Sequence, residues 1–307
     1  MEHETAKQTP LGDVSGWART SNWGRWGRED ERGALNLIPA ASLVKALRIP
    51  VTGKVYSLSV EVSPTAPSSA IRAKPWRSLS VSGGRPGPTT VGSADETLVL
   101  QYHGATTHVD ALCHMWYDHK VYNGFDELGL FHRTAGATRC GIDKAGAIIG
   151  RGVLLDLVSF KGMEMLPVGY AVTPDELEAC ARKQGIAIKS GDIVLMRTGW
   201  LKEARKNPPT KWMGEGGPGM AALEWFHKKE VVALGADNVG VEATPAEDKV
   251  SQMPFHQRWL RDVGGYLIEF LELDELARDH AYEFLFITVP LKIAGGVGSP
   301  VHPIAIV

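Results

Sequence analysis

Three short apolar runs, each bounded by turn residues, limit the possible folds of this chain more than any other feature. Each run is typical of a buried strand. Between the first two, Thr173 caps a helix, Pro174 occupies its first turn and Glu176 completes a capping box. Strands that alternate with helices predict an α/β domain. The runs span residues 152–158, 192–197 and 231–235.

Two further helices and one further strand are predicted outside these runs. The helices are expected at residues 40–47 and 219–229. Residues 55–62 alternate small or polar with apolar side chains, which predicts a half-buried strand. Residues 63–92 hold much of the proline, glycine and serine and are expected to form a long irregular lid or oligomer contact.

The domain organisation is predicted to be simple. No repeat or linker is visible, so residues 1–18 are expected to be a flexible N-terminal arm and residues 19–307 a single domain. The glycine-rich residues 214–219 lack the lysine of a phosphate loop and are expected to be a flexible turn.

Charge and composition indicate a cytoplasmic protein with a small-molecule partner. A net charge of −2 and a pI near 6.6 offer no basic field to a nucleic acid. The three cysteines form no CxxC pair, which fits a reducing compartment. The N-terminus lacks the apolar core of a signal peptide, and no stretch reaches the roughly 18 apolar residues of a membrane span.

The densest group of potential metal ligands lies between Tyr102 and His114. In an extended strand, His108 and Asp110 point to the same face, while Val109 points to the other. Imidazole and carboxylate together accept zinc, manganese or iron, and an open coordination position would lower the pKa of a bound water. We therefore expect His108 and Asp110 to bind a metal ion.

His114 is predicted to be the catalytic base. An imidazole beside an activated water can accept its proton and then protonate the leaving group. A single histidine is more often a core or surface group than a catalytic one. Three histidines and an aspartate within twelve residues, however, favour a site.

A second informative region lies at residues 251–269, where His256 is expected near the start of a helix and Glu269 within an apolar strand. A buried carboxylate without a partner is costly, and binding to a metal would remove that cost. The alternative is a strand end at the surface, or an ion pair with an arginine such as Arg258.

The remaining candidates are less specific. Asp237 and Glu242 follow a buried strand, where α/β sheets often carry functional groups, so a supporting or substrate-binding role is open for both. Large aromatic side chains usually pack in the core, but several could also line an apolar pocket. The predicted substrate-binding residues are Trp23, Trp26, Trp116 and Thr107.

These residues resemble the metal-dependent cyclase family that includes bacterial kynurenine formamidase and isatin hydrolase, whose signature is His-x-Gly-Thr-His-x-Asp-x-x-x-His. The resemblance covers roughly residues 20–307. Besides residues 103–114, the landmarks lie at residues 23–27, 33–37, 151–156, 191–200, 290–292 and 298–300.

The resemblance implies a swivelling β/β/α fold with a mixed-sheet core, a homodimer or homotetramer, and water attack on a carbonyl held at zinc or manganese. His108 and Asp110 match metal ligands of the family and His114 its catalytic histidine. His256 and Glu269 match the downstream ligands.

The chain departs from the signature at one place. The first histidine of the family stands four residues before the second, where this chain has Gly104, and His103 stands five before. In a regular strand His103 would point away from His108. We expect a β-bulge at Gly104 to return His103 to the metal as a ligand.

The leading functional hypothesis is hydrolysis of a carbon–nitrogen bond in an amide or a cyclic amide, or of a lactone, by metal-activated water. A lyase or a lactone-forming cyclase using the same site is the alternative enzyme. A metal-free member of the fold without catalysis is the third hypothesis.

Overall fold

The computed structural model describes residues 20–69, 71–82, 92–207, 214–249 and 251–307. The predicted N-terminal arm, residues 1–18, lies outside this part of the chain. The α-helices are α1 Ala40–Ala46, α2 Leu157–Lys161, α3 Pro174–Lys183, α4 Trp200–Lys206, α5 Met220–Lys228, α6 Pro254–Arg258 and α7 Asp274–Arg278. Short 3-10 helices span Gly33–Leu37, Tyr122–Gly124 and Ile142–Lys144, and a π-helical turn, Trp259–Val263, continues α6.

The strands vary from two to nine residues in length. They are β1 Val55–Ser57, β2 Trp76–Ser82, β3 Ser93–Val99, β4 His108–Asp110, β5 Phe131–His132, β6 Gly136–Ala137, β7 Ile148–Asp156, β8 Ala171–Val172, β9 Ile193–Arg197, β10 Gly217–Pro218, β11 Ala233–Ala236, β12 Tyr266–Glu269, β13 Glu283–Thr288, β14 Gly298–Pro300 and β15 Ile304–Ile306.

A mixed sheet of nine strands organises the described residues. Its order is β1-β15-β13-β7-β9-β11-β12-β4-β14. The four strands β7, β9, β11 and β12 run parallel, whereas every other neighbouring pair is antiparallel. The predicted α/β fold with a mixed-sheet core is confirmed.

The three apolar runs that led to this prediction lie at the centre of the sheet. They give β7, β9 and β11, and the four apolar residues of β9 are fully buried. A strand covered on both faces needs no polar side, which explains why these runs are continuous rather than alternating. The first run ends sooner than expected, because the chain turns into α2 at Leu157.

Helix α3 begins as its sequence predicts. The Thr173 hydroxyl accepts a hydrogen bond from the backbone N–H of Glu176, and the Glu176 carboxylate accepts one from the backbone N–H of Thr173. This capping box satisfies two of the backbone donors that a helix start leaves free. The helices expected at residues 40–47 and 219–229 are present as α1 and α5.

The strand expected at residues 55–62 is shorter than predicted. β1 ends at Ser57, which pairs with Ile304, the first residue of β15. The residue next to Ile304 on the opposing strand is Pro303, which has no N–H to donate. The ladder of backbone hydrogen bonds therefore cannot continue. The Leu58 N–H still donates to the Pro303 carbonyl, and one isolated bridge joins Ser59 to Leu271.

The prediction of an irregular region at residues 63–92 is wrong for residues 76–82, whereas residues 83–91 lie outside the part of the chain that the structure describes. Residues 76–82 form β2, which pairs along its full length with β3. Both strands are exposed on both faces and lie outside the main sheet. Such a strand lacks the alternating apolar face by which a strand is predicted.

The glycine-rich segment 214–219 is packed rather than flexible, since residues 215–219 are buried. A Cβ on Gly217 would lie 2.1 Å from the Val241 carbonyl oxygen, and one on Gly214 would lie 2.2 Å from that of Thr244. The glycines therefore allow two backbone segments to approach closely.

Among the described residues, no helix combines the length and the apolar character that crossing a membrane requires.

Candidate metal centre

Strand β4 brings the first two predicted ligands together. His108 and Asp110 lie on one face of this three-residue strand, with the fully buried Val109 on the other. The His108 Nε2 atom is 3.4 Å from Asp110 Oδ1. On the far side of the ring, His108 Nδ1 lies 2.8 Å from the Thr106 carbonyl oxygen, a contact that turns Nε2 toward the carboxylate.

Strand pairing adds Glu269 to this face. β12 runs antiparallel to β4, and Glu269 stands directly opposite His108. Its Oε2 atom lies 3.0 Å from His108 Nε2. Glu269 therefore faces histidines, and Arg258, the arginine considered as its alternative partner, pairs with Asp262 instead.

His103 reaches the same centre by a turn and not by the predicted β-bulge. β4 begins at His108, and His103 lies in a turn before it, with Gly104 at φ +69°. This left-handed conformation suits glycine and reverses the chain direction locally. His103 Nε2 is thereby placed 3.2 Å from Asp110 Oδ1. His103 does not belong to the strand, so the alternation of side chains along a strand does not apply to it.

His256 lies in the first turn of α6. Its Nε2 atom is 3.0 Å from Asp110 Oδ2 and 3.2 Å from Glu269 Oε1. His114 completes the cluster, since its ring stacks on that of His103 with the centroids 4.0 Å apart. Two groups of side chains within the described residues could each hold a metal ion, namely His103, His108 and Asp110, and Asp110, His114 and His256.

The buried polar atoms of the cluster fit a cation. Five of them lack a hydrogen-bond partner: His256 Nδ1 on the side of Glu242, and four others that each lie 3.0 to 3.4 Å from another ionisable side chain of the cluster. Leaving such an atom unsatisfied costs on the order of 1 to 3 kcal/mol, and a shared divalent ion would satisfy all four. Histidine nitrogens with carboxylate oxygens form a donor set that suits zinc and manganese. The four atoms are His103 Nε2, His108 Nε2, Asp110 Oδ1 and Glu269 Oε1.

The electrostatics of the cluster reflect the mutual attraction of these groups. Burial alone would lower the pKa of His108, but Glu269 and Asp110 raise it to about 10. Burial likewise opposes ionisation of Asp110, yet the neighbouring histidines, His114 first, hold the pKa of that carboxyl well below its usual value. The same carboxylates raise the pKa of His256 against the effect of burial, so without an ion the protons on His108 and His256 balance the carboxylates, and a bound cation would replace those protons.

His114 differs from the other histidines in its environment. Burial lowers the pKa of its imidazole to about 4, and the repulsion from His103 and His256 adds to this effect. The ring is therefore neutral near pH 7. His114 and His103 are the partly exposed members of the cluster, whereas His108, Asp110, His256 and Glu269 are buried. The centre is thus reached from the side of His103 and His114.

The predicted substrate-binding residues make contacts with other parts of the protein. Thr107 accepts a hydrogen bond from the Val60 N–H and donates one to the Phe270 carbonyl, which gives it a structural role. The Trp23 indole donates to the Arg261 carbonyl. Trp26 lies against Arg25, and Trp116 stacks on Phe131 and donates to Glu127. Substrate binding by these four residues stays a prediction.

Two further carboxylates, Glu242 and Glu215, lie next to the cluster. The sequence left the role of Glu242 open and gave no indication of Glu215. Glu242 accepts backbone hydrogen bonds at the start of α6 and faces His256. Glu215 is buried beneath the turn that carries Glu242, although its glycine-rich surroundings predicted a flexible turn. By contrast, Asp237 accepts three hydrogen bonds from Thr198 and Gly199 and ties β11 to the end of β9.

The mixed sheet and the cluster of histidines and carboxylates near its edge define an α/β protein with a candidate metal centre. The family described as "Putative cyclase" matches residues 56–243, more than half of the chain, and the chain belongs to this family. Its resemblance to the cyclase family is thereby confirmed.

Individual relatives agree with this assignment. The chain is 31% identical over 143 residues to isatin hydrolase from Roseibium aggregatum, an alignment that covers 45% of the chain and 53% of that relative. The chain thus spans about half the length of the curated relative it matches. A crystal structure of a novel cyclase shares 35% identity at a TM-score of 0.86, covering 94% of this chain and 99% of the other.

A third similarity concerns the fold alone. The structure of an isatin hydrolase bound to the product analogue thioisatinate has a TM-score of 0.58 at 24% identity, covering 87% of this chain and 95% of the other.

Proposed function

We propose that the protein is a metal-dependent hydrolase that cleaves the carbon–nitrogen bond of an amide or cyclic amide, or opens a lactone, in a small molecule. The observation that carries this proposal is the convergence of buried histidine and carboxylate atoms around Asp110, four of which, on His103, His108, Asp110 and Glu269, have no hydrogen-bond partner. The 31% identity to an isatin hydrolase supports it.

Zinc or manganese would be held by His103, His108, Asp110, His256 and Glu269. When bound there, such an ion polarises a carbonyl oxygen and makes a water molecule more acidic. The protein groups determine where the substrate meets the ion. Because four of these residues are buried and His103 is partly exposed, the carbonyl enters from the side of His103 and His114.

His114 is proposed to move the proton. Its imidazole is neutral near pH 7, lies beside Asp110 and His256, and borders the open side of the centre. It would accept a proton from the attacking water and donate it to the leaving nitrogen or oxygen. The geometry also allows His114 to serve as a ligand, so its role has to be tested directly.

The metal content of alanine variants tests both assignments. We expect the purified protein to hold at least about half an equivalent of zinc or manganese after metal-supplemented expression, because a full site approaches one ion per chain. His108→Ala should lose the metal. His114→Ala should keep it and lose at least about 100-fold in activity, the usual contribution of a general base. Inductively coupled plasma mass spectrometry and assays of the same samples check this, and equal metal loss in both variants would contradict the roles.

A substrate panel separates the proposed reaction from its alternatives. A simple amide, a lactone and a β-hydroxy acid are incubated with the metal-loaded protein. Hydrolysis of the amide or the lactone supports a hydrolase, whereas dehydration of the β-hydroxy acid would indicate a lyase. Absence of turnover together with absence of metal would identify a non-catalytic member of the fold.

We further propose that the protein works in the cytoplasm as a homodimer or homotetramer. The three cysteines are free and buried, which suits a reducing compartment. The exposed strand pair of β2 and β3 suits self-association, because an isolated pair of strands is marginally stable in water.

A further inference from the structure

The turn at residues 238–242 carries one of the carboxylates beside the metal centre. Asn238 is fully buried, and its side chain accepts a hydrogen bond from the Val241 N–H and donates one to the Gly216 carbonyl. Val241 has a φ of +61°. A β-branched residue rarely adopts this left-handed conformation, and it persists only where the surroundings impose it. The turn is therefore held in an unfavourable shape by its neighbours.

Glu215 is one of these neighbours. Its Oε2 atom accepts a hydrogen bond of 2.8 Å from the Val239 N–H, and its main chain pairs with Thr244 in both directions. A Cβ on Gly240 would lie 3.0 Å from Glu215 Oε1, so the side chain fills the space directly under the turn. Glu215 thus holds the turn through the hydrogen bond of its side chain to Val239. Its backbone also holds the segment that follows the turn, at Thr244.

The environment of Glu215 is unusual for a carboxyl group. The side chain is 1% exposed, and burial raises its pKa well above the usual value, with a further contribution from the nearby Glu269 and Glu242. The Val239 N–H is the backbone donor whose hydrogen bond Glu215 accepts in this position, so an uncharged acceptor of the same length can make the same contact.

Glu242 follows Val241 directly and points to the start of α6. Its Oε1 atom accepts a hydrogen bond of 2.8 Å from the His256 N–H, and its Oε2 atom accepts one of 3.1 Å from the Phe255 N–H. Oε1 also lies 3.5 Å from His256 Nδ1. One buried carboxylate therefore accepts hydrogen bonds from the backbone at this histidine and lies beside its ring, where Nδ1 has no hydrogen-bond partner.

The other ring nitrogen of His256 faces the centre of the cluster. Its Nε2 atom lies 3.0 Å from Asp110 Oδ2 and 3.2 Å from Glu269 Oε1. A carboxylate on the opposite nitrogen fixes the tautomer and the orientation of a ligating imidazole. Because Glu242 holds the backbone N–H of His256 and lies on the Nδ1 side of the ring, its position sets the direction in which His256 presents Nε2.

We propose that Glu242 is a positioning residue of the metal centre, orienting His256, and that Glu215 holds the strained turn that carries Glu242. This inference rests on the proposed function, because it assigns both residues to a centre that binds a divalent ion. Neither residue contacts the reacting atoms in this arrangement.

The zinc affinity of the Glu242→Gln variant tests whether Glu242 orients His256. Glutamine keeps the size of the side chain but loses its charge and places an amide N–H₂ against one of the donors of residues 255 and 256. The apoprotein is prepared with a chelator and titrated with Zn²⁺ in competition with an indicator dye. We expect the dissociation constant to rise by roughly 10- to 100-fold, the usual effect of removing such a partner.

Glu247→Gln is the matched control. Glu247 lies in the same region of the chain and accepts a hydrogen bond from the Met220 N–H at the start of α5, but it is exposed. Its replacement removes an equivalent carboxylate from a helix start without affecting His256. We expect its zinc affinity to stay within about twofold of wild type, since surface changes are usually small. Circular dichroism shows whether each variant is folded.

Hydrogen exchange supplies a readout that is independent of metal. In the apoprotein of Glu242→Gln, the backbone amides of Phe255 and His256 should exchange their hydrogens faster than in wild type. The reason is that the side chain which accepts their hydrogen bonds accepts them less well. Glu247→Gln should leave both amides unchanged.

A pair of substitutions at Glu215 tests whether this residue holds the turn that carries Glu242. Glu215→Gln keeps a neutral acceptor for the Val239 N–H and should bind Zn²⁺ within about threefold of wild type. Glu215→Asp is shorter by one methylene and no longer reaches that N–H, so its dissociation constant should rise by about tenfold. Equal affinities of the two variants would overturn this part of the inference.

The outcomes separate the inference from the proposed function. If wild-type protein binds neither Zn²⁺ nor Mn²⁺, both are overturned. If wild type binds Zn²⁺ and Glu242→Gln binds it equally well, the positioning role alone is overturned and the metal centre stands. A loss of affinity confined to Glu242→Gln and Glu215→Asp supports the positioning role.

Discussion

Gly104 shows how one residue determines the composition of the candidate metal centre. Its φ of +69° lets the chain turn between His103 and β4, so that His103 reaches Asp110. A Cβ at this position would lie 3.1 Å from the Cβ of Ser69 and 3.3 Å from Cγ of Arg72. The position therefore requires glycine both for its backbone conformation and for the space around it.

Gly104→Ala is expected to destabilise the protein and weaken metal binding. The left-handed conformation costs an alanine about 1 to 2 kcal/mol, and the contact with Ser69 adds to this cost. If the turn relaxes, His103 moves away from the centre. Urea denaturation measures the first effect and Zn²⁺ titration the second.

Gly162→Ala provides the comparison for this variant. Gly162 has the same φ of +69°, but it ends α2 and has no atom within 4 Å of an added Cβ. It should lose a similar amount of stability and retain wild-type metal affinity. Equal metal affinity in the two variants would argue against His103 as a ligand.

Among the structural elements, α3 depends most clearly on interactions at its own start. Glu176 closes the capping box with Thr173 and also accepts hydrogen bonds from Lys161 and Tyr170. Burial alone would raise the pKa of this carboxyl, but the Lys161 ammonium and the hydrogen bonds of Thr173 and Tyr170 lower it to about 2. The ionised carboxylate thus connects the start of α3 to α2 and to the segment before β8.

The stability contributed by Glu176 is expected to depend on pH. Its pKa is lower in the folded protein than the ordinary 4.5, so the contribution is complete above pH 4.5 and is lost as the pH falls toward 2. Glu176→Gln keeps the capping box and removes the charge. It should cost about 1 kcal/mol at pH 7, a modest value because a quarter of the side chain is exposed and solvent screens the pair. Urea denaturation at pH 7 and pH 3 should show this difference shrinking.

Glu178→Gln is the control on the same helix. Glu178 pairs with Lys229 at 3.1 Å, and nearly half of its side chain is exposed. Exposed pairs contribute little, so this variant should resemble wild type at both pH values. A pH-independent loss in Glu176→Gln would show that the lost stability comes from packing and not from charge.

At the scale of the whole molecule, the strand pair of β2 and β3 stands apart from the nine-stranded sheet. Leu79, Val81 and Leu98 share one of its faces and are 58%, 73% and 51% exposed. Three exposed aliphatic side chains on one small face favour association with another surface. We take the other surface to be a second copy of this chain, in line with the proposed homo-oligomer.

The double substitution Leu79→Asp with Val81→Asp is expected to disrupt this assembly. This face already carries the Arg77–Glu96 ion pair, and two further carboxylates in place of its aliphatic side chains would have to be desolvated in any interface, which is costly without partners. Size-exclusion chromatography with light scattering should give the mass of two or four chains for wild type and a lower mass for the variant. Ser80→Asp changes the opposite face and should leave the mass unaltered. A wild-type mass of one chain would contradict the proposal.

The sequence by itself determined the features that arise from local geometry. The continuous apolar runs predicted β7, β9 and β11, and the signals at Thr173 and Glu176 predicted the start of α3. The i, i+2 spacing placed His108 and Asp110 on one face of β4, because side chains alternate along any strand.

Only the tertiary structure decided how distant residues meet. Glu269 stands opposite His108 because β12 and β4 pair in one register, and the position of His103 depends on a turn that precedes β4. The burial of Glu215 under a strained turn was also not predicted, since its glycine-rich neighbours indicated flexibility. The physical reason is that strand register and close backbone approach are set by the packing of segments far apart in the chain, and local side-chain periodicity does not record them.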